Sequence, residues 1–247
     1  MRETQAIIER VRRITTTLQH IDLSVDPALT QLQPGQSVLA IPQENPAWTP
    51  YLREQWLPVD AQGARLTVEL PAAIHYAPGQ VISLLAPVGK PVPLRPGARN
   101  LLLIAEDATP TPLVWIAREC VRNGAAVTLV LGGQALDYPL EQFPAEVEIL
   151  RGDTDWSWPE QVETLTWADQ VIALAPPFLQ AESYGRLHHA ISQLRHRAPE
   201  HFACGLFYER LACGTGACGA CMTACQDGDR LVCVDGPAFD LKDVRFS

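Results

Sequence analysis

The sequence predicts an α/β plus β chain in three parts: an antiparallel β-barrel, then a parallel α/β domain, then a small cysteine-rich C-terminal domain. Three observations carry that prediction. Residues 1–97 hold short β-rich runs cut by turns. Residues 98–197 alternate strand-like runs with helical periodicity. Beyond 198 regular periodicity fades, and five of the seven cysteines fall between residues 213 and 233 among glycines.

The barrel rests on four runs, Arg13–Thr17, Ser37–Ile41, Arg65–Leu70 and Val81–Leu85, with Pro34-Gly35 and Pro78-Gly79 as turn signals. Many short strands with such punctuation read as a small antiparallel barrel. In the second part Leu101–Ile104 reads as a buried strand. Leu113, Ile116, Ala117, Cys120 and Val121 then mark one face of a helix that Asn123-Gly124 stops. Val127–Leu131, Val147–Leu150 and Val171–Leu174 are further strands, and Arg186–Arg195 is a closing helix. Strand, helix and strand at this spacing form a parallel layer.

The 247 residues suffice for one large domain or two to three small ones. The composition, 47% apolar and 19% charged, is that of a globular protein, and 21 prolines favour loop-rich segments over long helices. A formal charge of −9 argues against a nucleic-acid surface, which needs clustered Lys and Arg. No apolar run reaches membrane-spanning length, and the charged start, Met1 to Arg13, lacks the apolar core of a secretory signal. The expectation is a cytoplasmic protein without membrane or nucleic-acid partners. In a reducing compartment, clustered cysteines read as a metal or redox site rather than disulfides.

Cys213, Cys218 and Cys221 follow the spacing C-x4-C-x2-C, and Cys233 comes after eleven intervening residues. That is the plant-type spacing for four thiolates around a [2Fe–2S] cluster. Gly214, Gly216 and Gly219 let a loop curl tightly and bring backbone N–H groups toward sulfur. A structural zinc site is the rival reading, although zinc ribbons usually present two C-x2-C knuckles and this segment has one. Cys225 is the alternative fourth ligand to Cys233. Cys120 and Cys204 lie in apolar surroundings and read as inert thiols. His188, His189 and His196 read as a solvated helix face. No histidine interleaves with the cysteines as a Rieske centre requires. Asp227, Asp229, Asp235, Asp240 and Asp243 read as an acidic rim. No nucleophile or paired carboxylates show a catalytic motif, so no catalytic residue is named.

The stretch Glu209-Arg210-Leu211-Ala212-Cys213-Gly214-Thr215-Gly216-Ala217-Cys218, followed by Val232-Cys233-Val234-Asp235-Gly236-Pro237-Ala238-Phe239, resembles the cluster domain of the electron-transfer subunit of two-component dihydroorotate dehydrogenases. That family belongs to the ferredoxin reductase superfamily. The resemblance implies a flavin-type barrel (1–97), a nucleotide-type α/β domain (98–197) and a [2Fe–2S] cluster-binding domain (198–247). It also implies FAD, a flavoenzyme catalytic subunit of the dihydroorotate dehydrogenase type as partner, and a role in pyrimidine biosynthesis.

The family's flavin and nucleotide motifs are degenerate in this chain. Tyr51–Pro58 puts Glu54 where the Arg-Pro-x-Ser motif has arginine, and Glu69–Ile74 lacks the Gly-Thr pair for the flavin phosphates. The Gly-Pro-Leu-Gly turn survives as Ala86-Pro87-Val88-Gly89. Ala105–Pro112 replaces a glycine-rich pyrophosphate turn with two carboxylates and two prolines, and Leu174-Ala175-Pro176 stands for Cys-Gly-Pro. A packed α/β domain that holds no nucleotide is the alternative there. The expected function is therefore one-electron relay between a flavoenzyme and another carrier. The alternative is a non-enzymatic scaffold or regulatory subunit with a structural cluster or zinc.

Overall fold

A computed structural model describes residues 1–42 and 53–246 of the chain; Tyr51 and Leu52 of the stretch compared with the flavin motif lie outside them. Strands β1 (Arg2–Arg13), β2 (Leu18–Ser24), β3 (Ser37–Pro42), β4 (Glu54–Gln62), β5 (Arg65–Pro71) and β6 (Val81–Val88) close in the order β1-β2-β5-β4-β3-β6. Period-two alternation points Ile8, Ile21, Leu23, Val38, Trp56, Val68, Ile82 and Leu84 inward, and each is almost fully buried.

The first expected strand is misplaced by one element. Residues 15–17 turn instead, because Thr15 Oγ1 accepts the backbone N–H groups of Thr17 (3.1 Å) and Leu18 (3.0 Å). The strand lies upstream, in the charged segment from Arg2 to Arg13. Its alternation is broken by a bulge: Ile8 pairs with Leu23 but Arg10 with Asp22, leaving Glu9 as the extra residue. β4 carries a second bulge, since Pro58 pairs with Val68 and Asp60 with Thr67. A bulge shifts the following side chains to the other face.

The second layer comprises β7 (Asn100–Glu106), α1 (Thr111–Arg122), β8 (Ala126–Gly132), β9 (Glu148–Gly152), α2 (Gln161–Trp167), β10 (Gln170–Leu174) and α3 (Gln180–Leu194). The expected closing helix thus begins one and a half turns earlier than its basic stretch. Four more strands follow: β11 (Ala203–Leu206), β12 (Met222–Cys225), β13 (Gly228–Leu231) and β14 (Ala238–Asp240). The main sheet runs β14-β11-β10-β7-β8-β9, parallel except where β14 pairs antiparallel with β11. Two strands from beyond residue 197 therefore extend the α/β sheet.

Apolar residues cover both faces of this sheet. Leu113, Ile116, Ala117 and Cys120 of α1 pack on one side. On the other, Tyr184 and Leu187 of α3 share a core with Phe207, Cys221, Cys225, Val232, Cys233 and Phe239, and with Leu39 and Val88 of the barrel. The cysteine segment has no core of its own and borrows this one. Cys120 and Cys204 are buried, and burial pushes the Cys120 thiol up to about 12 and raises that of Cys204.

Tyr184 fastens the sheet at its carboxyl edge. Its hydroxyl donates to Leu206 O (2.6 Å) and accepts from the Ala175 N–H (3.1 Å), linking the ends of β10 and β11. The hydroxyl is fully enclosed, so Tyr184→Phe leaves an N–H and a carbonyl without their partner. We expect a loss of about 1–3 kcal/mol in denaturant unfolding with an unchanged slope.

Candidate metal centre

Two N–H groups and a hairpin arrange the thiols. β12 and β13 pair with Met222 opposite Leu231 and Cys225 opposite Gly228. Cys221 and Cys233 flank the open end of this hairpin, where Val232 N–H donates to Cys221 O (2.8 Å) and the two thiols lie near enough for Cys221 to act on the ionisation of Cys233. Cys225 lies at the turn end, four strand residues or roughly 13 Å of chain away. It is buried in the core. The hairpin register thus separates Cys225 from the other thiols.

Cys213 and Cys218 neighbour each other on the glycine loop. The Thr215 N–H lies 3.4 Å from Cys213 Sγ. That N–H first, with the Cys218 N–H beside it, draws the Cys213 thiol down to about 6 by stabilising its thiolate. Cys233 moves the other way, up to about 12. Burial is the main cause and the neighbouring Cys221 thiol adds to it, while the Gly216 N–H opposes both. Among the described residues no three His, Cys, Asp or Glu side chains converge on the position of a single ion. The four thiols divide between the glycine loop, with Cys213 and Cys218, and the open end of the hairpin, with Cys221 and Cys233. This donor set fits a two-iron group, which needs two thiolates per iron.

The barrel clamps the site from the side. Gly89 N–H donates to Cys233 O (3.1 Å) and Lys90 N–H to Gly236 O (2.6 Å). Gly89 has φ +80° and a Cβ there would stand 2.9 Å from Gly236 O, so the surviving Ala86–Gly89 turn sets how closely barrel and cysteine loop approach. Exposure grades across the thiols: Cys221 and Cys233 are buried, Cys213 is half-buried and Cys218 faces solvent.

The expected acidic rim is only partly a rim. Asp227 and Asp229 pair with Arg230 (2.6 Å) and Arg245 (3.5 Å). Asp240 is buried instead, and its carboxylate accepts the backbone N–H of His201 (2.6 Å) and of Lys242 (3.2 Å). His189 and His196 are exposed, but His188 is half-buried against the Phe246 ring.

The flavin-type contacts are spent within the chain. Glu69 is buried, and its carboxylate meets three groups: His20 Nε2 and Tyr138 Oη at 2.9 and 2.8 Å, and the Thr111 hydroxyl at the start of α1. Sequence reasoning noted Glu69 only as a departure from a motif; its partners come from three distant segments. Arg53 donates to Ser83 O (3.1 Å) and to Glu3 (2.5 Å), while Glu54 accepts from Trp56 Nε1 (3.4 Å). At the carboxyl end of β7, burial and the adjacent Asp107 charge push Glu106 up to about 8. Carboxylates occupy the places where an anion-binding fold offers donors. These residues do not fit a tightly held FAD or nicotinamide pyrophosphate.

A barrel of this strand order, a parallel sheet behind it and a cysteine loop clamped between them define a ferredoxin-reductase-type chain with an appended iron–sulfur module. Comparisons with known proteins add what the chain is similar to. Residues 208–245 match the iron–sulfur cluster binding domain of dihydroorotate dehydrogenase B. The chain is 31% identical over 184 residues to the electron transfer subunit of dihydroorotate dehydrogenase B (NAD+) from Shouchella clausii, a match covering 67% of this chain and 66% of that one, just under two thirds of the relative's length. The same subunit from Bacillus velezensis is 28% identical, with 96% of this chain and 90% of that one covered. Among solved structures, the NADH-dependent reduced ferredoxin-NADP oxidoreductase associated with flavin-based electron bifurcation superposes with a TM-score of 0.73 at 18% identity, covering 98% of this chain and 90% of that one. The ferredoxin reductase of carbazole 1,9a-dioxygenase gives 0.58 at 18% identity over 82% and 68%. The chain thus resembles the iron–sulfur electron-transfer subunits of dihydroorotate dehydrogenase B, most specifically across its cluster-binding segment.

Gly214 offers a direct check on the loop. Its φ is +69°, and a Cβ would stand 2.6 Å from Leu39 Cδ1 in the barrel. Gly214→Ala adds backbone strain and overlap, so we expect a destabilisation on the order of 1–3 kcal/mol, read as a lowered melting temperature.

Proposed function

We propose that this chain relays single electrons through a [2Fe–2S] cluster held by Cys213, Cys218, Cys221 and Cys233, as the electron-transfer subunit of a flavoenzyme of the dihydroorotate dehydrogenase type. The observation that carries the reading is the hairpin register, which sets Cys221 and Cys233 together at its open end and keeps Cys225 at its turn end. The family's role in pyrimidine biosynthesis extends to this chain on the same terms. The three-module division at residues 1–97, 98–197 and 198–247 belongs to this reading, with the third module sharing the sheet of the second.

The cluster, when bound, supplies reversible one-electron chemistry. The residues around it do the rest. The Thr215 N–H is aimed at Cys213 Sγ (3.4 Å), and such donors stabilise the anionic site and raise its potential. Cys221 and Cys233 are shut away from water in the shared core, whereas Cys218 lies at the surface and marks the side on which a redox partner approaches. Met222 and Val234, both exposed, give that side an apolar rim. The partner is a flavoenzyme catalytic subunit.

Anaerobically purified protein is expected to be brown, with iron and acid-labile sulfide in equal amounts, about two of each per chain. A colourless protein with stoichiometric zinc would overturn the relay in favour of the scaffold. Serine at any of Cys213, Cys218, Cys221 or Cys233 should abolish or greatly perturb the visible spectrum, and Cys225→Ser should leave it intact. Bleaching by Cys225→Ser alone would refute the ligand set.

FAD retention is the second test. Donors already committed to Glu3, Ser83 and Glu69 are lost to a pyrophosphate, which costs a few kcal/mol or about two decades of affinity. Purified protein should carry FAD well below one per chain and show no NADH–dye reductase activity on its own. Full occupancy would return the chain to the flavin-dependent reductases.

A further inference from the structure

On the opposite side of the barrel from the cysteine loop, the outer face of β1-β2-β5-β4 is concave and basic. The two bulges build it. After the bulge at Glu9, Arg10 and Arg12 leave the inward register of Ala6 and Ile8 and pair across the sheet with Asp22 and His20, while Val11 takes the inward place opposite Ile21. After the bulge at Val59, Asp60 stands opposite Thr67. Arg65 lies two residues before Thr67 on the same face of β5. The α/β domain roofs this surface: Arg118 of α1 and Gln142 overhang a cavity of about 320 Å³ lined by these side chains.

The charges there do not cancel. Four guanidinium groups, Arg10, Arg12, Arg65 and Arg118, face two carboxylates, in a chain whose formal charge is −9. Both carboxylates are engaged: Asp22 takes Arg12 (3.2 Å) and the Thr67 hydroxyl (2.8 Å), and Asp60 takes Arg122 (3.2 Å) and Gln62 (3.1 Å). Arg118 is fixed through neutral acceptors, Val59 O at 3.0 Å and Gln142 O at 2.8 Å, so its charge stays unpaired. Arg10 and Arg65 make no hydrogen bond or ion pair among the described residues, though Arg65 feels the charge of Asp22. Arg12 Nε is enclosed without an acceptor. Like charges gathered this closely repel one another, and two re-aimed strands bring them together.

We propose that this cavity is a binding site for a small phosphorylated anion, separate from the cluster. Guanidinium forks match phosphate oxygens two at a time, which ammonium groups do not. The cavity holds a group larger than one phosphate. Roofing by α1 limits it to small molecules and keeps out a polymer or a membrane surface. Bound there, an anion bridges the barrel and the α/β domain through Arg118. It also lies beside His20, whose ring reaches Glu69 and so the start of α1.

The test uses the full-length, cluster-loaded protein. Inorganic pyrophosphate is titrated by calorimetry at low ionic strength, with citrate as the carboxylate control. The wild type should show saturable, salt-sensitive binding of one pyrophosphate per chain, tighter than citrate. The Arg10→Ala/Arg65→Ala double variant should bind at least tenfold more weakly, roughly what one charge-assisted contact contributes. Arg245→Ala, in the C-terminal segment beside the far hairpin, should bind as the wild type does. Circular dichroism and iron content confirm that the variants are folded and loaded; both substituted arginines are exposed and unpaired, so neither should change. Absence of saturation, equal affinity for citrate, or undiminished binding by the double variant would each overturn the proposal. None of these outcomes bears on the relay reading, which stands on iron content and spectrum.

Discussion

The aromatic seam through Tyr184 holds the functional part of this molecule in place. Trp156, Tyr184, Phe207 and Phe239 stack edge to face in sequence, with centroids 6.1, 5.0 and 5.4 Å apart. The seam begins over the parallel sheet and ends in the cysteine segment. A cluster loop of this size cannot bury enough apolar surface to order itself. Its valines, phenylalanine and inner cysteines are instead the outer layer of a core that the sheet would need in any case. Order in the loop is thus inherited from the α/β domain, and the thiols are positioned by packing that lies mostly outside their own segment.

The barrel contributes in a different way. Two backbone hydrogen bonds, from Gly89 and Lys90, reach the carbonyls of Cys233 and Gly236, and Leu39 fills the space beside Gly214. These contacts need close backbone approach and no particular flavin chemistry. A barrel can keep this support while its flavin contacts turn inward. The buried Glu69 carboxylate takes the Thr111 hydroxyl at the head of α1, joining the barrel to the α/β layer.

Much of this was legible in the sequence, for reasons that can be named. Strands β5 to β8 and β10 are apolar runs closed by turn residues, and α1 carries a clean helical stripe ended by Asn123-Gly124. The thiol spacing was informative because loop length limits which cysteines can meet. β1, β2 and β4 escaped notice; in β1 and β4 a bulge changes the phase of the alternation that marks a strand, at Glu9 and at Val59. β4 also contains Pro58. Helix α2 buries only Leu165, too little for a periodic signal. The choice between Cys225 and Cys233 depends on hairpin register, which composition does not encode. Asp240 looked like one more surface acid because its shortest contact is to a backbone donor, the His201 N–H, which leaves no mark in a side-chain pattern.

The pairing of β11 with β14 has a consequence for how such a domain can move between proteins. The chain leaves the sheet after Leu206, makes the whole cysteine excursion, and returns at Ala238 opposite the same residue. Its two ends are therefore one strand spacing apart, about 4.8 Å. An insertion with touching ends imposes almost no strain on its host, since the edge of the sheet is extended by one strand and otherwise undisturbed. The excursion is a graft by construction. Any parallel sheet with an open edge beside β11 and an aromatic residue in place of Tyr184 offers a stock on which it can be set.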